Sequence, residues 1–362
     1  MRTKAQCEKN SGEFMLYYSF GQGIRMTFSD FPSTQWTFYV MRVSEPTSII
    51  TRLRNRIHSF LRPNVSIRPN GSYTELMNNL FISTFHPTER QNECTEYSLR
   101  LSPSIDQVST IKAFILHLED LFNAPLKKLN LDIAELEEST ASEVADCFFR
   151  TEGKQLKFFT LKNRKEIGNM NKELIKNILK RQNATHILKM AFNPSAEFNF
   201  EIQNLQSKLL TLEIEYSHWV TVNQIINTDI HSLIFNQSKL LKEHFIQLIE
   251  TWKTGWTPKW SQLEIELMEN VNIDECMRSI LSEADYDETT CQIKIQSVEL
   301  CRFVKEKTTS QGISHTIGYY VRRSDLCTAT FSVERNTKLW IHIWSESMIK
   351  QHSNIFDEHS GS

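Results

Sequence analysis

Residues 209–266 read LLTLEIEYSHWVTVNQIINTDIHSLIFNQSKLLKEHFIQLIETWKTGWTPKWSQLEIE. Three times in this stretch an apolar residue is followed by a second three positions on and a third two further on. The triplets are Leu209/Leu212/Ile214, Ile230/Leu233/Phe235 and Trp260/Leu263/Ile265. The last two members of each triplet are two residues apart, so they share one face of a strand. Between the second and third triplets, residues 240–252 place Leu241, Phe245, Leu248, Ile249 and Trp252 at helical spacing. A strand that buries one face, followed by a helix with one apolar stripe, is the repeating thought of the segment.

Working upstream, the same pattern recurs as Leu126/Leu129/Leu131, Leu156/Phe159/Leu161 and Ile187/Met190/Phe192. Successive starts are 30, 31, 22, 21 and 30 residues apart. A further helix is expected over 171–182, with Leu174, Ile175, Ile178 and Leu179 on one side. Strand plus helix at a period of roughly 20–29 residues is the leucine-rich-repeat unit, in which each unit buries its face by stacking on a neighbour. The expected fold class is therefore α/β: an irregular leucine-rich-repeat-like array over 108–270 with β-rich flanks. The competing reading is six unrelated buried strands in an α/β sheet.

The flanks carry period-two signals. Ile24, Met26 and Phe28 alternate with polar residues, as do Trp36, Phe38 and Val40, which makes 1–107 a β-rich region. Gly21-Gln22-Gly23 fits a hairpin turn, and 63–73 (PNVSIRPNGSY) reads as a loop. Residues 108–122 place Ile111, Ile115, Leu118 and Phe122 along a helix. After residue 285, segments 291–298 and 317–344 alternate again, so 271–350 is expected to form a β-rich region that covers the open end of the array. A disordered tail is expected over 351–362.

Composition narrows the function. The chain has 362 residues and only 10 Gly, against an average usage of about 7%, and phosphate-cradling loops need glycines. Lys and Arg total 41 and Asp and Glu 43, a net charge of -2, which lacks the basic excess of a dedicated nucleic-acid binder. The cysteines Cys7, Cys94, Cys147, Cys276, Cys291, Cys301 and Cys327 are odd in number and form no CxxC, so reduced thiols are expected. No apolar run approaches the length of about 18 residues needed to cross a bilayer, and the N-terminus has no apolar signal core. An intracellular protein with no membrane partner is expected. Neither HExxH nor GxSxG occurs among the scattered histidines and serines. The cluster Glu135, Glu137 and Glu138 suits a helix start better than acid–base work. No catalytic activity, cofactor or metal is expected.

Two segments resemble a known family. Segment 218–267 is similar to the type 2 F-box-associated domain of nematode F-box proteins: an apolar segment (220–226), a strand (230–235), a helix closed by Trp252, the Gly255 turn and a Leu-x-x-Leu-like strand (263–267). Segment 317–344 resembles that family's C-terminal strand pair, with Val321-Arg322-Arg323, Ala329-Thr330 and the closing Trp344. The resemblance implies a substrate-recognition domain of a Skp/cullin ubiquitin ligase, whose adaptor is engaged by an N-terminal F-box. Residues 1–43 show strand texture and a lone Pro32, not the helical Leu-Pro-rich F-box. Skp binding is thus expected only if an F-box lies upstream. The alternative is an F-box-less interaction or decoy protein not linked to ubiquitination.

Under either reading the partner is a protein, and the residues between the buried apolar ones line the strand face. These are Lys128, Asn130 and Asp132; Phe158, Thr160 and Lys162; Lys189, Ala191 and Asn193; Thr211, Glu213 and Glu215; Ser232, Ile234 and Asn236; Gln262, Glu264 and Glu266. The first three rungs carry Lys128, Lys162 and Lys189 against Asp132, and the last three carry four Glu and no Lys or Arg. Phe158 and Ile234 are the apolar anchor candidates on this face. The sequence leaves open a register one residue off, which would put both in the core.

Overall fold

A computed structural model of the chain describes residues 14–19, 23–28, 34–40, 84–87 and 95–101, helical positions 108, 112, 115, 116 and 119, and 125–351 apart from 134–137, 150–154, 164–171, 206–207, 281–285, 288–291, 296–297 and 310–311. The expected loop at 63–73 lies outside these residues, as does the tail beyond 351. The chain divides into two compact units, Met1–Lys162 and Asn163–Ser362. The division falls inside the block 108–270. Both units combine helices with a mixed sheet, so the fold is α/β.

In the first unit, β1 (Phe14–Ser19), β2 (Gly23–Phe28) and β3 (Thr34–Val40) form an antiparallel meander, with Ser19 opposite Gly23, the last residue of the GxG, whose first two residues lie outside the described ones. β5 (Thr95–Leu101) runs parallel to β3 and antiparallel to β4 (Thr84–Pro87). On the other side β1 runs parallel to β6 (Leu126–Asp132), which pairs in parallel with β7 (Phe158–Lys162). Leu129 stands opposite Phe159 and Leu131 opposite Leu161, as the repeated triplets require, and all four are fully buried. Helix α1 (Glu138–Phe149) opens on Glu138 and buries Ala141, Val144, Ala145 and Phe149. The Phe149 ring meets Phe159 edge-on at 5.1 Å.

The second unit begins with four parallel strands in sequence order: β8 (Ile187–Ala191), β9 (Thr211–Ile214), β10 (Ser232–Phe235) and β11 (Gln262–Glu266). Leu188, Leu212, Leu233 and Leu263 form one buried row, and Met190, Ile214, Phe235 and Ile265 the next. Each such side chain contributes roughly 1.5–3 kcal/mol by leaving water. The third triplet is thereby corrected. Met190 pairs with Ile214, not Leu212, so the rung is framed on Leu188 and Met190, two residues earlier than Ile187/Met190/Phe192 suggests. The reason is that β8 ends at Ala191, and Phe192 leaves the strand to stack edge-on against Phe198 at 5.9 Å, which in turn meets Trp219 at 5.2 Å.

Helices cover the buried side. α2 (Lys172–Arg181) has Glu173 in its first turn and Lys180 and Arg181 in its last, which complements the helix dipole, and buries Ile175, Ile178 and Leu179. α3 (Val222–Asn227) starts in a capping box, in which Thr221 Oγ1 accepts the Gln224 N–H and Gln224 Oε1 accepts the Thr221 N–H. α4 (Lys242–Lys253) starts later than the apolar pattern suggests. Leu241 lies outside it and is 38% exposed, and the first helical N–H groups are taken by His244 Nδ1 (3.0 Å, from Leu241) and Glu269 Oε1 (2.6 Å, from Lys242). Past its end, Gly255 adopts φ +109°, a conformation that L side chains rarely adopt.

The C-terminal strands continue the same sheet. β17 (Lys338–Ile343) pairs antiparallel with the outer edge of β11, and β16 (Thr328–Glu334), β15 (Gly312–Arg323), β14 (Val298–Thr309), β13 (Gln292–Ile295) and β12 (Tyr286–Asp287) follow it in antiparallel order. α4 lies over β16, with Trp252 meeting Phe331 at 5.6 Å and Phe245 at 6.3 Å from the same ring. α5 (Ile273–Ile280) is tied to β14 and β15 through Asp274, which receives both Arg302 Nε (3.0 Å) and Nη2 (3.1 Å) and the Tyr319 hydroxyl (2.7 Å). A short helix, α6 (Glu346–Gln351), ends the region expected to be β-rich and reaches the first residue of the expected tail.

Candidate functional site

The eighteen residues expected to line the binding face fall in both units. In the first, β6 and β7 place Lys128 opposite Phe158, Asn130 opposite Thr160 and Asp132 opposite Lys162. Phe158 is half-buried beside the fully buried Phe159, which fixes the register, whereas Thr160 and Asp132 are buried at 7% exposure each. A cavity of about 40 Å³ beside α1, lined in part by Ile115, Glu119, Leu126 and Cys147, is the size of a water site. Its carboxylate, Glu119, accepts the Leu126 N–H at 2.6 Å.

In the second unit, the side chains that alternate with the buried rows face away from α2–α5. One cross-strand row runs Lys189, Glu213, Ile234, Glu264, Trp340, Ser332, Gly318, Phe303 through β8, β9, β10, β11, β17, β16, β15 and β14. The neighbouring row brings Thr211, Ser232, Gln262 and His342 together. From the expected set the face thus gathers Lys189, Thr211, Glu213, Glu215, Ser232, Ile234, Gln262, Glu264 and Glu266. Ala191 continues β8 on this side, while Asn193 lies past the strand's end. Ile234 is half-buried and alternates with fully buried Leu233 and Phe235, so it belongs to this face.

Charges here are coupled across strands. Lys189 Nζ reaches Glu213 Oε1 at 2.5 Å and Glu215 Oε1 at 2.8 Å. Burial works against its charge, but the hydrogen bonds to Glu213 and Glu215 outweigh it and raise the lysine pKa above the ordinary value. Lys338 stands directly opposite Glu266, yet its ammonium pairs with Glu264 and lies 5.5 Å from the centroid of the Trp340 ring. Glu264 is accordingly buried, at 7% exposure, where an open position was expected. Glu266 instead accepts the Gln237 backbone N–H at 2.8 Å, at a residue with φ 47°.

No protein-family model, curated protein or solved structure matches this chain. The face therefore has to be read from its own chemistry. The sequence pattern missed Lys338, Trp340 and His342, which β17 adds beside β11. Their alternation in KLWIHI was visible, but nothing local told that this strand would return to β11 and not only to its hairpin partner β16. Trp340 is 39% exposed, a large aromatic in a polar surround.

At the other end of the same face, Trp344 Nε1 donates to Thr330 Oγ1 at 2.7 Å, and its ring meets Tyr320 at 5.3 Å. His342 Nε2 lies 3.2 Å from Met348 Sδ of α6. Burial, and then the charge of His231, lower the His342 pKa. His231 itself shares a 2.9 Å contact between Nε2 and Ser261 Oγ. Among the described residues no three His, Cys, Asp or Glu side chains converge as a metal site, and no helix is long and apolar enough to cross a membrane. Burial pushes the Cys276 thiol to about 11, the behaviour of a core thiol and not of a nucleophile.

Proposed function

We propose that the chain is a non-enzymatic protein-interaction module, and that the open face of the second unit's sheet receives its partner in the manner of an irregular repeat array. The observation that carries this is Trp340: a large aromatic side chain, 39% exposed, in the middle of a row of charged and small residues on a sheet whose other side is covered by helices. Exposed aromatics in such settings are the residues that anchor interfaces. Glu213, Glu215 and Glu264 are paired with lysines and Glu266 holds a backbone N–H, a setting for binding rather than for a proton-sharing carboxylate pair.

The resemblance to F-box-associated domains favours substrate recognition as the role. Residues 14–40 form three strands and not a helical F-box, so adaptor engagement would need an F-box supplied from outside these residues; the alternative is an interaction protein working without the ubiquitin-ligase adaptor. A photo-crosslinking residue at Gln262, on the face, and another at Lys253, on α4, test the module. Partner adducts from position 262 and none from 253 are expected, and equal yields would overturn the assignment. Titration of the chain with purified Skp adaptor separates the two roles, with no association expected from this chain.

A further inference from the structure

On the open face, β10 is an uncharged lane between two acidic rails. It presents Ser232 and Ile234, while Glu213 of β9 and Glu215 just past its end stand on one side, and β11 on the other carries Glu266, with Glu264 buried beneath Lys338. Neighbouring strands are about 4.8 Å apart, so the rails stand about 9.6 Å from each other. Along each rail the two carboxylates are two residues apart, roughly 6.6 Å, which is the spacing of alternate side chains in any extended peptide. The half-buried Ile234 forms an apolar floor at the middle of the lane.

The charge is unbalanced. On β8–β11 and β17 the face carries four carboxylates and two ammonium groups, Lys189 and Lys338. Lys189 is shared by Glu213 and Glu215, and Lys338 serves Glu264. Among the described residues Glu266 pairs with no lysine or arginine; it holds only a backbone N–H. The face also displays how it treats a cation. The Lys338 ammonium lies between a carboxylate and the indole of Trp340, the arrangement in which an alkylammonium or guanidinium gains from both charge and ring quadrupole.

Resting on the reading of this face as an interaction surface, we propose that its occupant is an extended, basic segment of the partner protein. The segment lies along β10 with Lys or Arg side chains at alternate positions directed to the rails, and its neighbour on the β17 side is Trp340. Charge complementarity decides for this occupant over an acidic segment or a nucleic acid, since both of those would face the same surplus of carboxylate.

The test uses the full chain and two labelled octapeptides, (Arg-Ser)4 and (Glu-Ser)4, with binding read by fluorescence anisotropy at low and moderate salt. Saturable binding of the arginine peptide, weakened by salt, and none of the glutamate peptide is expected. Gln262→Lys adds a cation on the exposed edge of the lane without breaking an ion pair, and a loss of affinity of about tenfold is expected. Trp340→Ala should weaken binding by a similar factor, with an unchanged thermal midpoint showing that the fold survives. Equal binding of both peptides, preference for the glutamate peptide, or affinity indifferent to both substitutions would overturn the proposal. The crosslink at position 262 is read separately: if it persists while the arginine peptide fails to bind, the interaction face stands and only its basic occupant falls.

Discussion

Arg323 donates from Nη1 to the backbone carbonyl of Trp252 at 2.5 Å, and its guanidinium carbon lies 4.8 Å above the centroid of the same residue's ring. The remaining donors are used as fully. Nη1 also reaches the Trp256 carbonyl (2.9 Å), Nη2 the Thr257 hydroxyl (2.9 Å), and Nε and Nη2 form a fork with Asp325 at 3.1 and 2.7 Å. Arg323 is 5% exposed. Trp252 lies in the last turn of α4 and Arg323 closes β15, so one side chain ties that helix to that strand.

Replacing Arg323 by Met leaves two carbonyls without their donor and removes the fork. A loss of about 3–5 kcal/mol is expected, since two carbonyl acceptors each lose a charged donor worth roughly 1.5–3 kcal/mol. Arg323→Lys should recover little of it, because an ammonium cannot serve four acceptors in a planar fan. Asp325→Asn, at a side chain 55% exposed, should cost far less. Urea denaturation followed by tryptophan fluorescence orders the three.

Gly318 admits no side chain. A Cβ there would lie 2.6 Å from Phe303 Cζ, from the Phe331 carbonyl oxygen and from Ser332 Cβ. The Phe303 ring could swing away, but the backbone oxygen cannot. Gly318→Ala is expected to destabilise by about 1–3 kcal/mol, read as a fall in the urea midpoint with an unchanged slope. An unaffected midpoint would show that β15 can shift to accommodate it.

The β16–β17 hairpin has Arg335 at φ 53° and Asn336 at φ 62°. Two successive left-handed residues are the requirement of a turn that prefers Asn-Gly. Arg335→Asn and Asn336→Gly should each stabilise by about 0.5–1 kcal/mol, and Arg335→Val should do the opposite. Thermal midpoints of the three variants check the sign.

Acid should weaken the second unit through His342. Its neighbours are Gln262 and Thr330 in register, Met348 from α6 and the charge of His231. The folded chain resists protonating it, whereas the unfolded chain takes up the proton near the ordinary value of 6.5. The unfolded state therefore binds more protons below that value, so stability falls as the pH drops through about 6.5 and below. His342→Gln should flatten this slope in denaturation curves taken between pH 5 and 8. Identical slopes would assign the acid sensitivity elsewhere.

Much of the architecture was written locally. Leu212/Ile214, Leu233/Phe235 and Leu263/Ile265 fix three parallel strands because period-two burial is a property of a strand and its nearest neighbours. What was not legible arises from partners distant in sequence. Phe192 looks like a third rung residue until Phe198 and Trp219 provide another aromatic cluster for it. Glu264 looks open until Lys338 arrives from β17 to cover it. The candidate face was drawn from alternation alone and so ended at β11. Trp340, on which its proposed function rests, became part of it only through a pairing that no local pattern encodes.

That pairing also sets an order of events. Gln262 of β11 waits for His342, eighty residues further along the chain, before its outer edge is hydrogen-bonded. During synthesis the parallel strands emerge first, with a raw edge that any other unpaired strand could join. A chain cut short before Lys338 would keep that edge permanently, and its fate would be self-association, not a smaller working domain.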